Sequence, residues 1–351
     1  MVINPSNWKD KRILITGHNG FKGSWLTFIL NRLGAKIVGL SLPVSDEKTL
    51  YNDASLGELV TEEYLFDIRD NDKVLNFFEK NKFDYIFHLA AQSLVTESFN
   101  NPLKTFEINI LGTANILLQS LKCNTLKGIT LATTDKVYEN HEHGNAFVES
   151  DKLGGHDPYS SSKAAMEIVV TSLRESFNEY QIPITTVRAG NVIGGGDWGK
   201  NRLVPDIIRA QSSNEILSIR NPNAKRPWQH VIDCLFGYLL LAQSHLNKEL
   251  SVPESINFGP ESSLSVSKFI SIFEKNSDFR IRFEEIPAPN KEKNELNLNS
   301  SLAKNYLGWK PILSQEDAIS RTATWYKGWM LGEDSRSLML ADLMLMNGGE
   351  W

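Results

Sequence analysis

Two cysteines in 351 residues exclude a disulfide framework. Cys123 and Cys234 stand far apart, each in an apolar helical stretch, and read as two buried thiols in a reducing compartment. Long apolar runs are also missing. No stretch reaches transmembrane length, and the N-terminal Met-Val-Ile-Asn-Pro-Ser-Asn-Trp-Lys-Asp-Lys lacks the apolar core of a signal peptide. Basic residues are thinly spread, 37 Lys and Arg against 42 Asp and Glu, and the formal net charge of −5 gives no reason to bind nucleic acid. No repeat or low-complexity segment interrupts the chain. His141 and His143, in His-Glu-His, resemble metal ligands but have no third ligand at suitable spacing, so no metal is expected. These absences point to a cytoplasmic protein that engages neither membrane nor nucleic acid.

What is present is an ordinary globular composition, 41% hydrophobic and 23% charged, on a chain longer than the usual single domain. Arg12-Ile-Leu-Ile-Thr-Gly17 is a short apolar run ending in glycine, as a buried parallel strand would be. Strand-like runs recur at Lys36–Leu42, Tyr64–Asp67, Tyr85–Leu89, Ile129–Thr134 and Ile184–Arg188, with helical patterns at Asn71–Lys80, Leu103–Lys122 and Tyr159–Phe177. Such alternation predicts an α/β fold, a doubly wound parallel Rossmann sheet with helices on both faces. After residue 188 the alternation fails, although Val231–Ser244 reads as a further helix and Ser255–Phe258 as a strand. The expected division is a dinucleotide-binding domain of residues 1–187 and 228–258, with a smaller mixed α/β substrate-binding lobe of 188–227 and 259–351. The apolar Leu338–Met346 stretch is expected to dock on its own lobe or on a partner subunit.

Between the first strand and the first helix lies Gly17-His18-Asn19-Gly20-Phe21-Lys22-Gly23. Glycines so spaced permit a tight turn, close backbone approach to a pyrophosphate and close helix-to-strand packing. The helix N-terminus adds free N–H groups and a positive dipole end. An acidic residue for the adenine ribose is missing at the end of the second strand, where Ser41 stands and Asp46 comes later. No arginine nearby would clamp a 2′-phosphate, so NAD is preferred over NADP. Asp67, Ile68, Leu89, Ala90, Ala91, Gln92, Asn109, Thr133 and Arg188 follow predicted strands or face the same edge and complete the expected cofactor site. Asn109 fits equally well as a buried tie within the fold.

Tyr159-Ser-Ser-Ser-Lys163 puts a phenol and an ammonium one turn apart on a helix that Asp157 is suited to cap and Pro158 to begin. A free tyrosine titrates near ~10, and lowering it by roughly three units takes about 4 kcal/mol. One cation ~4 Å away supplies energy of that order at an effective dielectric of ~20. Lys163 is therefore expected to make Tyr159 a base, with the hydroxyl of Thr134, at the end of a predicted strand, sharing its hydrogen bond.

These motifs resemble the extended short-chain dehydrogenase/reductases and, within them, the CDP-glucose 4,6-dehydratases. The likeness runs through Gly17–Trp25, Thr133–Asn140, Leu153–Ser160, Gly190–Trp198 and Arg226–Val231. Ser93 and Thr96 depart from the family's proline and arginine, and Asn201 from its aspartate. The resemblance implies that NAD oxidises the C4 hydroxyl of a sugar nucleotide, with Tyr159 removing the hydroxyl proton. Water is then eliminated across C5 and C6, and the hydride returns to C6, giving a 4-keto-6-deoxy sugar. Asp135 is the candidate acid for the leaving hydroxyl. Lys136 is either the base for the C5 proton or a partner of Asp135. For the nucleotide, Arg226 is the first choice to pair with the diphosphate, Arg220 and Asn191 come second, and Leu203 and Pro205 shape the base pocket. Two other functions fit the same oxidation set less well: a sugar-nucleotide 4-epimerase and an NAD-sensing protein without turnover. A homo-oligomer is expected.

Overall fold

The computed structural model describes residues 2–44, 48–140, 144–248, 252–287 and 296–345. Arg12–Thr16 (β1) leads through the glycine loop into Phe21–Arg32 (α1) and Lys36–Ser41 (β2). Leu50–Asp53 (α2), Glu62–Leu65 (β3), Asn71–Lys80 (α3) and Tyr85–His88 (β4) follow. Val95–Asn100 (α4) precedes one long helical stretch made of Pro102–Phe106 (α5), a π-helical turn at Glu107–Gly112 and Thr113–Ser120 (α6). Ile129–Ala132 (β5), Pro158–Ser176 (α7) and Ile184–Ala189 (β6) continue the alternation.

Beyond it come Val192–Ile193 (β7), Leu203–Ser213 (α8), Leu217–Ile219 (β8), Lys225–Arg226 (β9) and Gln229–His230 (β10). Val231–Leu246 (α9) and Ser255–Phe258 (β11) bring the chain back to the sheet. Leu264–Ser265 (β12), Val266–Ser277 (α10), Phe283–Glu285 (β13), Ser301–Leu307 (α11), Gln315–Met330 (α12) and Ser335–Leu343 (α13) complete the order.

The main sheet has seven strands in the order β11-β6-β5-β4-β1-β2-β3, and every pairing in it is parallel. The expected doubly wound sheet is therefore present. Its order reverses between β1 and β4, and in such sheets the crevice at the carboxyl ends beside that reversal takes the ligand. The central strands are apolar on both faces because helices cover both. Ile13 and Ile15 pack with Trp25, Ile29, Leu235 and Leu239 on one side, while Leu14, Ile86 and Leu131 pack with Val74, Phe77, Ile116 and Val170 on the other. Helix α9 is buried along almost its whole length, which explains why its sequence lacks a polar face.

Short two-stranded sheets, β10 with β7, β12 with β9 and β13 with β8, build the rest beside the carboxyl edge. The segment holding Gly194–Trp198 is clasped tightly there. Trp25 Nε1 donates to the Gly195 carbonyl at 3.0 Å, and a Cβ at Gly195 would run into the Trp325 ring at 1.9 Å. Lys48 lies over the rings of Trp198 and Trp329, at 4.8 and 3.5 Å. Helix α13 docks on its own chain: Leu338, Met339 and Leu343 are buried, and Arg336 bonds the carbonyls of Ala54 and Ser55. Met346 lies outside the described residues. Both cysteines are buried and unpaired, but Cys123 sits in the turn after α6 rather than inside a helix.

Candidate active site

The glycine loop needs its glycines for distinct reasons. Gly17 has φ +76°, and a Cβ there would meet Ala90 N at 2.8 Å, so this position excludes side chains twice over. A Cβ on Gly23 would lie 2.0 Å from the Gly17 carbonyl oxygen, which lets α1 begin hard against the loop. Gly20 caps α1 without a side-chain hydrogen bond, so the first turn points bare N–H groups at the loop. The loop, the uncapped helix and the strand reversal fit a dinucleotide pyrophosphate.

Around this loop several expected cofactor residues have side chains committed elsewhere. His18 is fully buried; Nδ1 pairs with Ser41 Oγ at 2.9 Å and Nε2 with Glu63 Oε1 at 2.8 Å. Burial holds this imidazole below its usual titration range against the pull of Glu63. His18 and Ser41 therefore brace the loop from beneath. Asn19 donates to the Leu42 carbonyl at 2.8 Å, and Phe21 is half-buried beside Gly194. Asp67 is gripped by Arg69, whose guanidinium holds the carboxyl below its ordinary range, while Ile68 packs on Gly112. Asp46 lies outside the described residues, as do His141 and His143. Among the described residues no cluster could hold a metal ion.

Leu89, Ala90, Ala91 and Gln92 follow β4 at the strand reversal. The Asn109 side chain accepts from Gln92 N at 2.9 Å and donates to Gln92 O at 3.0 Å and to Ser162 Oγ at 2.8 Å. These bonds make Asn109 a buried tie that fixes α7 against the loop after β4.

The Arg188 and Thr133 side chains are committed to one buried carboxylate. The Arg188 guanidinium binds Glu167 through Nε and Nη2, each at 2.9 Å, and reaches Tyr138 and the Glu149 carbonyl through Nη1. Thr133 and Thr186 donate to the same carboxylate at 2.6 and 2.7 Å. Burial raises the Glu167 pKa, but these donors outweigh it and hold the group below its ordinary value. Both side chains lock β5 and β6 to α7.

Helix α7 starts as its sequence requires. Asp157 Oδ1 accepts from Ser160 N at 2.9 Å, Ser160 Oγ accepts from Asp157 N at 3.1 Å, and Pro158 takes the first position. This capping fixes the first turn, which carries Tyr159. Thr134, Asp135, Tyr159 and Lys163 are all buried, at 6, 1, 8 and 3% exposure. Thr134 Oγ1 donates to Asp135 Oδ1 at 2.9 Å and bonds the Tyr159 phenol. Lys136 Nζ lies 3.5 Å from Asp135 Oδ1 and is the strongest positive influence on the phenol.

The expected lowering of Tyr159 by Lys163 is not what the site contains. Burial holds Tyr159 above its usual value of 10.0, and Lys136, the Thr134 hydrogen bond and Arg202 only partly offset it. Lys163 Nζ instead donates to the Ala132 carbonyl at 3.0 Å, and burial, with Lys22 nearby, brings its pKa down to about 7.

Arg202 escaped the sequence reading, which looked to later arginines. It pairs with Asp197 at 3.0 Å, donates to Ser93 Oγ at 3.0 Å, and its charge reaches the Tyr159 phenol. The signal was available in Asp197 and Arg202 flanking Trp-Gly-Lys-Asn before α8. Asn201 donates to Thr96 Oγ1 at 2.9 Å. The three departures from the family pattern, Ser93, Thr96 and Asn201, thus meet in one cluster joining the loop after β4 to the start of α8. Asn191 has its side-chain oxygen buried without a hydrogen-bond partner. Arg226 is buried and donates to the Lys225 carbonyl, Leu203 and Pro205 open α8, and Arg220 is exposed.

The chain matches the family model described as GDP-mannose 4,6 dehydratase over residues 14–322. It is 36% identical to CDP-glucose 4,6-dehydratase of Salmonella typhimurium over 345 residues, which cover 95% of each chain. The dTDP-D-glucose 4,6-dehydratase of Dictyostelium discoideum is 28% identical, over 90% of this chain and 82% of that one. In fold the chain is similar to an epimerase from Methanothermobacter thermautotrophicus, with a TM-score of 0.81, 23% identity, and coverage of 94% of this chain and 97% of that one. With the glycine loop and the Thr–Tyr–Lys set in place, the chain belongs to the nucleotide-sugar 4,6-dehydratase family.

Proposed function

We propose that this enzyme converts CDP-glucose to CDP-4-keto-6-deoxyglucose and water, using NAD that is reduced and reoxidised within one turnover. The observation that carries the reading is the turn at Thr134, Asp135 and the half-buried Lys136 closing on the buried Tyr159 phenol. An oxidation set alone serves an epimerase; a carboxyl and an amine beside it serve elimination. NAD, when bound along the glycine loop, supplies a hydride acceptor at C4 and later a hydride donor at C6.

The chain's own residues do the rest. Tyr159, coupled to Lys163, takes the C4 hydroxyl proton, and Thr134 holds the phenol in line. Asp135 delivers a proton to the departing C6 hydroxyl. Lys136, 3.5 Å from that carboxylate, removes the C5 proton or stabilises the enolate. For the nucleotide, the buried Arg226 pairs with the diphosphate, Asn191 gives its unpartnered oxygen, Leu203 and Pro205 wall the base, and Arg220 lies at the rim.

In this reading residues 1–187 and 228–258 hold the cofactor, and 188–227 with 259–351 hold the sugar nucleotide. Two buried free thiols fit the cytoplasm, where the product feeds deoxysugar and polysaccharide synthesis. Exposed Leu103, Leu111, Leu118 and Ile168 on neighbouring helices fit a homo-oligomer contact. Incubation with CDP-, UDP-, dTDP- and GDP-hexoses followed by mass spectrometry tests the assignment. Loss of one water from CDP-glucose in preference to the others supports it; no mass change on any of them refutes it.

A further inference from the structure

The acidic residue missing from the end of β2 stands one strand over. Gly39 of β2 pairs in register with Glu63 of β3, so Glu63, Gly39 and Ser41 share one face of the sheet. Gly39 leaves the space that the His18 ring fills: a Cβ there would lie 2.7 Å from the imidazole. His18 thereby bridges its neighbours, with Nε2 2.8 Å from Glu63 Oε1 and Nδ1 2.9 Å from Ser41 Oγ. Tyr51 of α2 closes the row. Its phenol donates to the same Glu63 oxygen at 2.6 Å, and its ring stands edge-on to His18 at 5.2 Å. The imidazole and the serine are buried, at 0 and 5% exposure.

The chemistry of these groups fixes which way each hydrogen points. Burial raises the Glu63 carboxyl, but the bonds from Tyr51 and His18 outweigh it and hold the group below its ordinary value, so at neutral pH it only accepts. His18, kept neutral by burial, then carries its one proton on Nε2 and presents a bare Nδ1 to Ser41. The Leu40 carbonyl, which faces the same ring, already accepts from Gly17 N at 2.7 Å. Ser41 therefore gives its only hydrogen to Nδ1 and keeps its lone pairs for a ligand.

We propose that Glu63, acting through His18, makes the Ser41 hydroxyl an acceptor for the 2′-hydroxyl of the adenine ribose of NAD, and so selects NAD over NADP. The carboxyl end of β2 is where such sheets hold that ribose, and an acidic residue there is the usual acceptor. A ribose hydroxyl can donate to Ser41. A 2′-phosphate brings only acceptor oxygens and meets lone pairs backed by a carboxylate. Glu63 is the positioning residue of this arrangement, and Ser41 is the group that meets the ribose.

The test needs no turnover. Dissociation constants of NAD, NADP and an NAD lacking the adenosine 2′-hydroxyl are measured by calorimetry on nucleotide-free protein, and the His18 tautomer is read from its ring 15N shifts. Wild type is expected to bind NAD about tenfold or more tightly than NADP, with the His18 proton on Nε2. Ser41→Ala is expected to weaken NAD about fivefold, the effect of one lost hydrogen bond, and to leave the 2′-deoxy analogue unchanged. Glu63→Ala is expected to release the tautomer into a mixture, to weaken NAD about threefold and to narrow its advantage over NADP. Tyr51→Phe, which keeps the carboxylate, is expected to retain both the tautomer and the preference. A His18 proton on Nδ1 in wild type overturns the proposal. So does a loss in Ser41→Ala or Glu63→Ala that falls equally on NAD and its 2′-deoxy analogue, since loop packing would then be responsible. If binding follows expectation while no nucleotide sugar is consumed, this inference stands and the assigned reaction falls.

Discussion

Glu167 and Arg188 face each other as a two-pronged ion pair, Nε to Oε1 and Nη2 to Oε2, both at 2.9 Å and both buried. The pair joins α7, which carries Tyr159 and Lys163, to β6. Removing one member leaves the other charged and buried, which typically costs 3–5 kcal/mol. Glu167→Gln is accordingly expected to destabilise the protein by roughly that amount in urea unfolding. The Glu167 pKa is depressed in the fold, so its contribution is present above the unfolded carboxylate range and lost as pH falls through the lower folded value. The gap between wild type and Glu167→Gln should therefore narrow on acidification.

Asp342 has the opposite sign. Burial beside His230 raises its pKa to about 6 despite its bond to Arg321. Because the folded value exceeds the unfolded one, its favourable contribution is present at low pH and is lost as pH rises from about 4 to about 6. Asp342→Asn should remove this loss. The stability of wild type relative to the variant is expected to fall by about 2–3 kcal/mol between pH 4 and pH 7, read by chemical denaturation at each pH.

Asn201, at φ +58°, ties the start of α8 to Thr96. Asn201→Gly keeps the left-handed backbone without strain and removes only the bridge. The expected result is a several-fold rise in KM for the nucleotide sugar with kcat within about twofold, since the bridge joins the start of α8 to α4 and not to Tyr159 or Lys163.

Sequence reading captured the sheet because burial on both faces leaves short apolar runs, and it captured the start of α7 because capping is a local interaction. It assigned Arg188, Thr133, His18 and Ser41 to the cofactor from their place at strand ends and in the loop, since direction along a strand is legible. Where a side chain points is not: Glu167 drew Arg188 and Thr133 inward from a helix more than twenty residues away in sequence from either Arg188 or Thr133, and no local pattern encodes that meeting. Arg202 was overlooked for a related reason. Asp197 stands near it in the chain, but Ser93 and Tyr159 meet Arg202 only in three dimensions.

Substituting Asp135 by Asn separates elimination from oxidation. The variant keeps the Thr134 contact geometry but cannot donate the proton the leaving hydroxyl needs. Dehydration is expected to fall by 10²–10⁴-fold, the usual worth of a positioned acid. Reduction of bound NAD by substrate, followed at the reduced nicotinamide absorbance, should persist. Loss of both steps in parallel would place Asp135 in binding or oxidation instead.

The decisive measurement follows the hydrogen at C4. CDP-glucose carrying deuterium at C4 is incubated with the enzyme, and the product is analysed by mass spectrometry and NMR. The account predicts a product one water lighter with the label at C6, because hydride leaves and returns inside one pocket. Label retained at C4 in a product of unchanged mass, or lost entirely to solvent, would contradict it.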